Sequence, residues 1–120
     1  MRYLFLIFAL LFLGCETKAP HLKKHKEKYY QTKLCKKLGG EMEYRLVDKT
    51  RVDCLTDEYA IEVDFAKKWA EGIGQALFYA DMTNKKPAVA IIANDKDKRY
   101  IKRLKRVCNK FDIKVYIIEK

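Results

Sequence analysis

Ready-made catalytic signatures are scarce in this chain of 120 residues. It has no glycine-rich phosphate loop, no cysteine and histidine pairs at zinc-finger spacing and no serine-nucleophile motif. The nucleotide-binding, zinc-finger and serine-hydrolase classes therefore have no sequence support. Internal repeats and low-complexity tracts are absent, which excludes a solenoid and a flexible linker protein. The length has room for one domain. No apolar run is long enough to serve comfortably as a permanent bilayer-spanning helix. Histidine is limited to His21 and His25, one helical turn apart near the N-terminus, a weak basis for a transition-metal site.

Negative charge is in deficit too: 26 Lys and Arg stand against 16 Asp and Glu, for a net charge of +10. This imbalance favours polyanions, whether nucleic acid, anionic lipid headgroups or envelope polysaccharide, and charge alone does not choose among them. Met1-Arg2 followed by the uncharged run Tyr3 to Leu13 has the charged start and apolar middle of a secretory signal. Gly14-Cys15 at its end resembles the lipobox of bacterial lipoproteins, with Phe12 and Leu13 departing from the usual pattern. The resemblance implies a signal peptide over 1–14, acylation of Cys15, a tether over 15–20 and a single domain over 21–120. It places that domain in the cell envelope, lipid-anchored to a membrane and facing the periplasm or exterior. An ordinary signal peptide cut nearby, or an uncleaved anchor, fits the same residues.

The remaining chain reads as an α/β domain. Leu22, Tyr29, Tyr30, Leu34 and Leu38 recur at helical spacing from His21 to Leu38, and Gly39-Gly40 supplies a helix stop. Three alternating segments follow, Met42 to Leu46, Arg51 to Leu55 and Ala60 to Phe65, the pattern of a three-stranded antiparallel meander. Alternation puts Met42, Tyr44, Leu46, Val52, Cys54, Ile61, Val63 and Phe65 on one face, and Glu43, Arg45, Arg51, Asp53, Glu62 and Asp64 on the other. Residues 67–83 repeat Trp69, Ile73, Ala76, Leu77 and Ala80 along one helical stripe, which makes Trp69 a core residue. The apolar run 88–93 lacks alternation and suits a strand buried on both faces. A helix over about 97–110 turns Ile101, Leu104, Val107 and Cys108 inward and basic residues outward. A strand from Ile113 to Ile118 follows it. Cys108 thus falls in a core, which leaves Cys35 and Cys54 to pair and pin the first helix to the sheet, worth roughly 3 kcal/mol by loop closure.

Carboxylates crowded on one sheet face repel each other unless cations or a metal compensate them. Hard divalent cations take oxygen ligands, so Asp53, Glu62 and Asp64 are candidate ligands for Mg²⁺ or Mn²⁺. Pairing of the acids with Arg45 and Arg51 on a solvated surface is the competing explanation. On the helix over 67–83, about 100° per residue places Lys68, Gly72, Gln75 and Tyr79 in one arc beside the apolar stripe, with Lys67 pointing away.

The order helix, three strands, helix, strand, with Asp53 on the second strand and Glu62 on the third, resembles the PD-(D/E)XK nuclease superfamily. The run Gln75 to Tyr79 is similar to the QxxxY motif of its RecB-type members. The resemblance covers roughly residues 21–93. It implies a restriction-endonuclease-like αβββαβ core with an added C-terminal helix and strand, and metal-assisted hydrolysis of DNA phosphodiesters by an exported protein. Asp53 and Glu62 match the metal ligands, and Gln75 and Tyr79 match residues that position DNA or complete the site. The family lysine two residues after the second acid is replaced by Asp64; Lys68 from the next helix is the candidate substitute, and Asp64 an extra ligand. Arg99, Lys102, Arg103 and Arg106 are candidate phosphate contacts. Two rivals stand beside this reading: a catalytically inactive nucleic-acid-binding module of the same fold, and a structural envelope lipoprotein with basic surfaces.

Overall fold

The structure, a computed structural model, describes residues 24–120. The expected signal segment 1–14, Cys15, the tether 15–20 and His21 lie outside the described residues. Among the described residues, no helix is long and apolar enough to cross a membrane.

Helix α1 spans Glu27–Leu38, with an acid in its first turn and Lys36 and Lys37 in its last, each sign suited to the helix dipole. It ends at Gly39, whose φ of 66° is the left-handed conformation that glycine adopts without a Cβ penalty. Strands β1 (Glu41–Arg45), β2 (Arg51–Leu55) and β3 (Tyr59–Phe65) form the antiparallel meander. Its first turn is fastened by Asp48, whose Oδ1 accepts from the Thr50 N–H at 3.0 Å, and its second by Thr56 Oγ1, which accepts from the Tyr59 N–H at 2.9 Å.

A short 3₁₀ turn, Ala66–Lys68, leads into α2 (Trp69–Thr83), and β4 (Lys86–Ala93) then returns parallel to β3. A second crossover through the turn Asp95–Asp97 and α3 (Lys98–Lys110) places β5 (Lys114–Glu119) parallel to β4. The sheet order is β1-β2-β3-β4-β5, a five-stranded mixed α/β sheet in the sequence order of its strands.

Strand β4 is the centre of three layers. Its Ala88, Ala90 and Ile92 pack with Tyr30 and Cys35 of α1, while Val89, Ile91 and Ala93 pack with Ile73 and Ala76 of α2 and Leu104 and Cys108 of α3. A strand covered on both faces needs apolar residues at every position, which explains its unbroken run. Trp69 packs, partly buried, against the α2 and α3 side.

The Cys35–Cys54 disulfide is formed, with the Cα atoms 5.6 Å apart, and ties α1 to β2. Gly40 backs onto it: a Cβ there would lie 2.5 Å from Cys54 Sγ and 3.0 Å from Cys35 Sγ. Cys108 is a buried free thiol, its pKa pushed up to about 11 by burial.

One expectation for the meander is corrected. The apolar side chains do not share a single face: Cys54, Ile61 and Val63 pack toward α1, whereas Val52 packs with Leu46, Ala60, Tyr79 and Ala80 on the α2 side. The alternation breaks at Asp53, whose Oδ2 accepts from the Val63 N–H at 2.8 Å. Glu43, between the paired residues Met42 and Tyr44 of β1, adopts a φ of 53°. A side chain stands in for a ladder carbonyl there, and β2 departs from regular pairing with β3.

Candidate functional site

The charged residues segregate into two regions, a buried carboxyl cluster under α2 and a basic surface on α3. The cluster is built on β3. Glu62 and Asp64, two residues apart on the α2 side, are 7% and 5% exposed. Asp53 lies just before the last paired residues of β2, Cys54 and Leu55, and its carboxyl is close enough to that of Glu62 for each to shift the other's titration. Glu27, at the start of α1, is near enough to Asp64 for its charge to raise the Asp64 pKa. Gly72 of α2 brings the helix close over this point, since a Cβ there would lie 3.4 Å from Asp64 Oδ2.

These acids have little cationic compensation. Lys68 is exposed but close enough to favour the charged forms of Asp64 and Glu27. Arg45 and Arg51 are exposed on β1 and β2, and the ion pairs among the described residues are Lys86–Glu58 at 3.2 Å and Lys120–Asp97 at 4.0 Å. The competing explanation, in which the two arginines neutralise the acids, is therefore also corrected.

Burial then dominates the titration. It raises Asp64 to about 7, assisted by the charge of Glu27, and it raises both Asp53 and Glu62; the charge of Asp53 pushes Glu62 up further, whereas the Val63 N–H and Glu62 itself partly offset the rise at Asp53. The Asp53–Glu62 pair accordingly retains a proton at neutral pH. Glu62 Oε2 is buried without a hydrogen-bond partner among the described residues, and a neutral carboxyl tolerates that position far better than an ionised one. Tyr79, buried on α2, has its phenol pKa raised by burial and by Glu62 and Asp53. Gln75 is half-buried one turn earlier, and Lys67 is exposed.

Two α1 residues were not singled out from the sequence. Glu27 joins the cluster, and Gln31, only 3% exposed, donates from Nε2 to Glu43 Oε1 at 3.0 Å and to the Asp53 carbonyl at 2.9 Å. The available signal was Gln31 itself, a polar residue beside Tyr30 inside the apolar stripe of α1.

The arrangement does not fit the expected metal centre. Among the described residues, no group of three or more His, Cys, Asp or Glu side chains is disposed to hold a metal ion. Asp53, one of the three expected ligands, spends an oxygen on the Val63 N–H.

The basic surface is on α3. Lys98, Arg99, Lys102, Arg103, Lys105, Arg106 and Lys110 are all exposed, with no acid between Lys98 and Lys110. Arg99 donates to its neighbour Tyr100 Oη at 2.8 Å, whereas Lys102, Arg103 and Arg106 form no ion pair among the described residues.

Comparison with known proteins adds three relatives, all from Acanthamoeba polyphaga mimivirus and named as KilA-N domain-containing. Protein L33 is 32% identical over 108 residues, covering 86% of this chain and 41% of L33. Protein R878 is 32% identical over 99 residues, covering 81% of this chain and 27% of R878. Protein L32 is 32% identical over 93 residues, covering 78% of this chain and 25% of L32. The chain thus spans about two fifths of L33 and about a quarter of R878 and L32. No protein-family model and no solved structure matches it.

This similarity overturns the assignment to the PD-(D/E)XK nuclease superfamily, because the relatives are named for a different domain. The exported, metal-dependent nuclease acting on DNA is corrected with it, and the relatives lend no support to magnesium binding or a lipoprotein signal. The nuclease roles of Asp53, Glu62, Lys68, Gln75 and Tyr79 are not carried further. Two acids on adjacent strands and a Gln and Tyr one helical turn apart are short patterns, and here they accompany a buried carboxyl cluster.

Proposed function

We propose that this chain is a DNA-binding module without nuclease activity, holding DNA through the outer face of α3. The observation that carries the reading is the row of exposed basic side chains over Lys98–Lys110, uninterrupted by any acid. Such a row gains affinity for phosphates by releasing their condensed counterions. The similarity to proteins named for a KilA-N domain supports the same class of partner. In this proposal the finer architecture is a restriction-endonuclease-like αβββαβ core extended by α3 and β5, acting as a scaffold only. The carboxyl cluster would repel phosphate if ionised, which favours contact on α3, outside the cluster.

DNA retention measured across a salt series tests the reading. The association constant is expected to fall linearly with salt on logarithmic axes, and Arg103→Ala and Arg106→Ala are each expected to reduce that slope by about one. Salt-independent retention, or none, would overturn it. On location, the Cys35–Cys54 bridge supports residence in a compartment that keeps thiols oxidised. Trapping free thiols at the moment of lysis would refute this if Cys35 and Cys54 were both alkylated.

A further inference from the structure

We propose that the β5 edge of the sheet binds an unpaired nucleic-acid strand, with bases on an apolar floor and phosphates on flanking lysines. The proposal rests on the DNA reading above and sharpens it, by naming the form of nucleic acid and a second contact region beside α3.

Strand β5 ends the sheet, so among the described residues one side of it has no strand partner. A groove runs along each of its faces. Between β5 and α3 lies one of 570 Å³, with Ala93, Ile101 and Ile117 as floor and Lys98, Lys102 and Lys105 along its side. Between β5 and α1 lies one of 430 Å³, with Leu34 and Ile118 as floor, Lys33 and Lys37 along its side, and His25 and Tyr29 at one end. Ile117, Glu119 and Lys120 line both, so the two grooves meet at the end of β5. Lysines outnumber acids along the joined tract, where the acids are Asp95 and Glu119.

An apolar floor beside cationic sides selects the occupant. A duplex turns its phosphates outward and keeps its base faces stacked inside, so it would meet the lysines and leave the floor uncovered. An unpaired strand offers both, since every base has a flat face that can lie on apolar or aromatic side chains. Ile117 is 43% exposed, a large aliphatic surface to leave in water. Tyr29, 40% exposed, carries His25 stacked on its ring at 3.7 Å between centroids and 12° between planes, with Lys33 5.1 Å from the ring centre. The outer face of that stack is placed for a base to extend it. An acidic peptide would satisfy the lysines, but it has no use for the stacked rings.

The test is fluorescence anisotropy on the full chain with labelled oligothymidylate and oligouridylate of about 15 nucleotides, a site length in the usual range for unpaired strands. A duplex of equal length and an acidic peptide serve as competitors. At least one unpaired strand is expected to bind about tenfold tighter than the duplex. Tyr29→Ala and Ile117→Asp are each expected to weaken strand binding roughly tenfold while leaving duplex binding unchanged. Tyr29→Ala, at an exposed position, keeps the test valid if Ile117→Asp fails to fold by circular dichroism. Equal binding of strand and duplex, no effect of Tyr29→Ala, or stronger displacement by the peptide than by unlabelled strand would each overturn the proposal. In those cases the DNA reading survives as long as Arg103→Ala and Arg106→Ala still weaken the duplex. Loss of all nucleic-acid binding sinks both.

Discussion

Replacing Glu62 by Gln should stabilise this protein at alkaline pH and flatten its response to pH. In the folded chain Asp64 keeps its proton to about 7, against an ordinary value of 3.8, and the Asp53–Glu62 pair holds a proton beyond neutrality. The unfolded chain releases all three protons near the ordinary carboxylate range. The folded state therefore binds more protons than the unfolded state above about pH 4, and stability falls as pH rises. The contribution is complete below the unfolded values and is lost as pH climbs through the folded ones. Each excess proton costs about 1.4 kcal/mol per pH unit. Discounted for solvent screening, the loss from about pH 5 to about pH 8 is on the order of 2 kcal/mol, or roughly 10 °C in Tm for a domain of this size.

In Glu62→Gln the amide can donate to the Asp53 carboxylate in place of the shared proton, so Asp53 ionises without a neighbouring charge. Thermal unfolding followed by circular dichroism across that pH range is the assay. Wild-type stability that is flat or rising with pH, or a variant with the same slope as wild type, would refute the account of the cluster.

Three further outcomes follow from the geometry. Gly40→Ala should cost about 2 kcal/mol or more and leave Cys35 and Cys54 reactive to thiol reagents, because the added methyl meets both sulfurs of the bridge. Leu104→Ala, at a fully buried position between α3 and the sheet, should cost about 2–5 kcal/mol by denaturant unfolding, whereas Arg103→Ala beside it should cost less than about 0.5 kcal/mol. Mg²⁺ or Mn²⁺ at alkaline pH should shift the Tm of wild type and Glu62→Gln equally; a large shift confined to wild type would place a cation in the carboxyl cluster after all.

Much of the element order was legible because each element carries its own periodicity. The stop at Gly39 and the unbroken apolar run of β4 needed no long-range information, since a left-handed helix end and burial on two faces each demand a restricted set of residues. Pairing of Cys35 with Cys54 followed by placing Cys108 on the inward stripe of α3. The PD-(D/E)XK resemblance misled because it rested on residue types at spacings that several kinds of site can share, whereas similarity spread over most of the chain points elsewhere.

Sequence by itself determined which segments are helix and strand, where α3 is basic and which strand must be buried, because these depend on neighbours one turn or two residues away. Only the tertiary structure decided that Glu27 and Gln31 of α1 reach residues of β1, β2 and β3, that Val52 sides with α2, and that the expected metal ligands form no cation site among the described residues. Those outcomes turn on how closely α1 and α2 settle against β3 and on the Asp53 side chain replacing one backbone contact in the ladder, distances that no local pattern encodes.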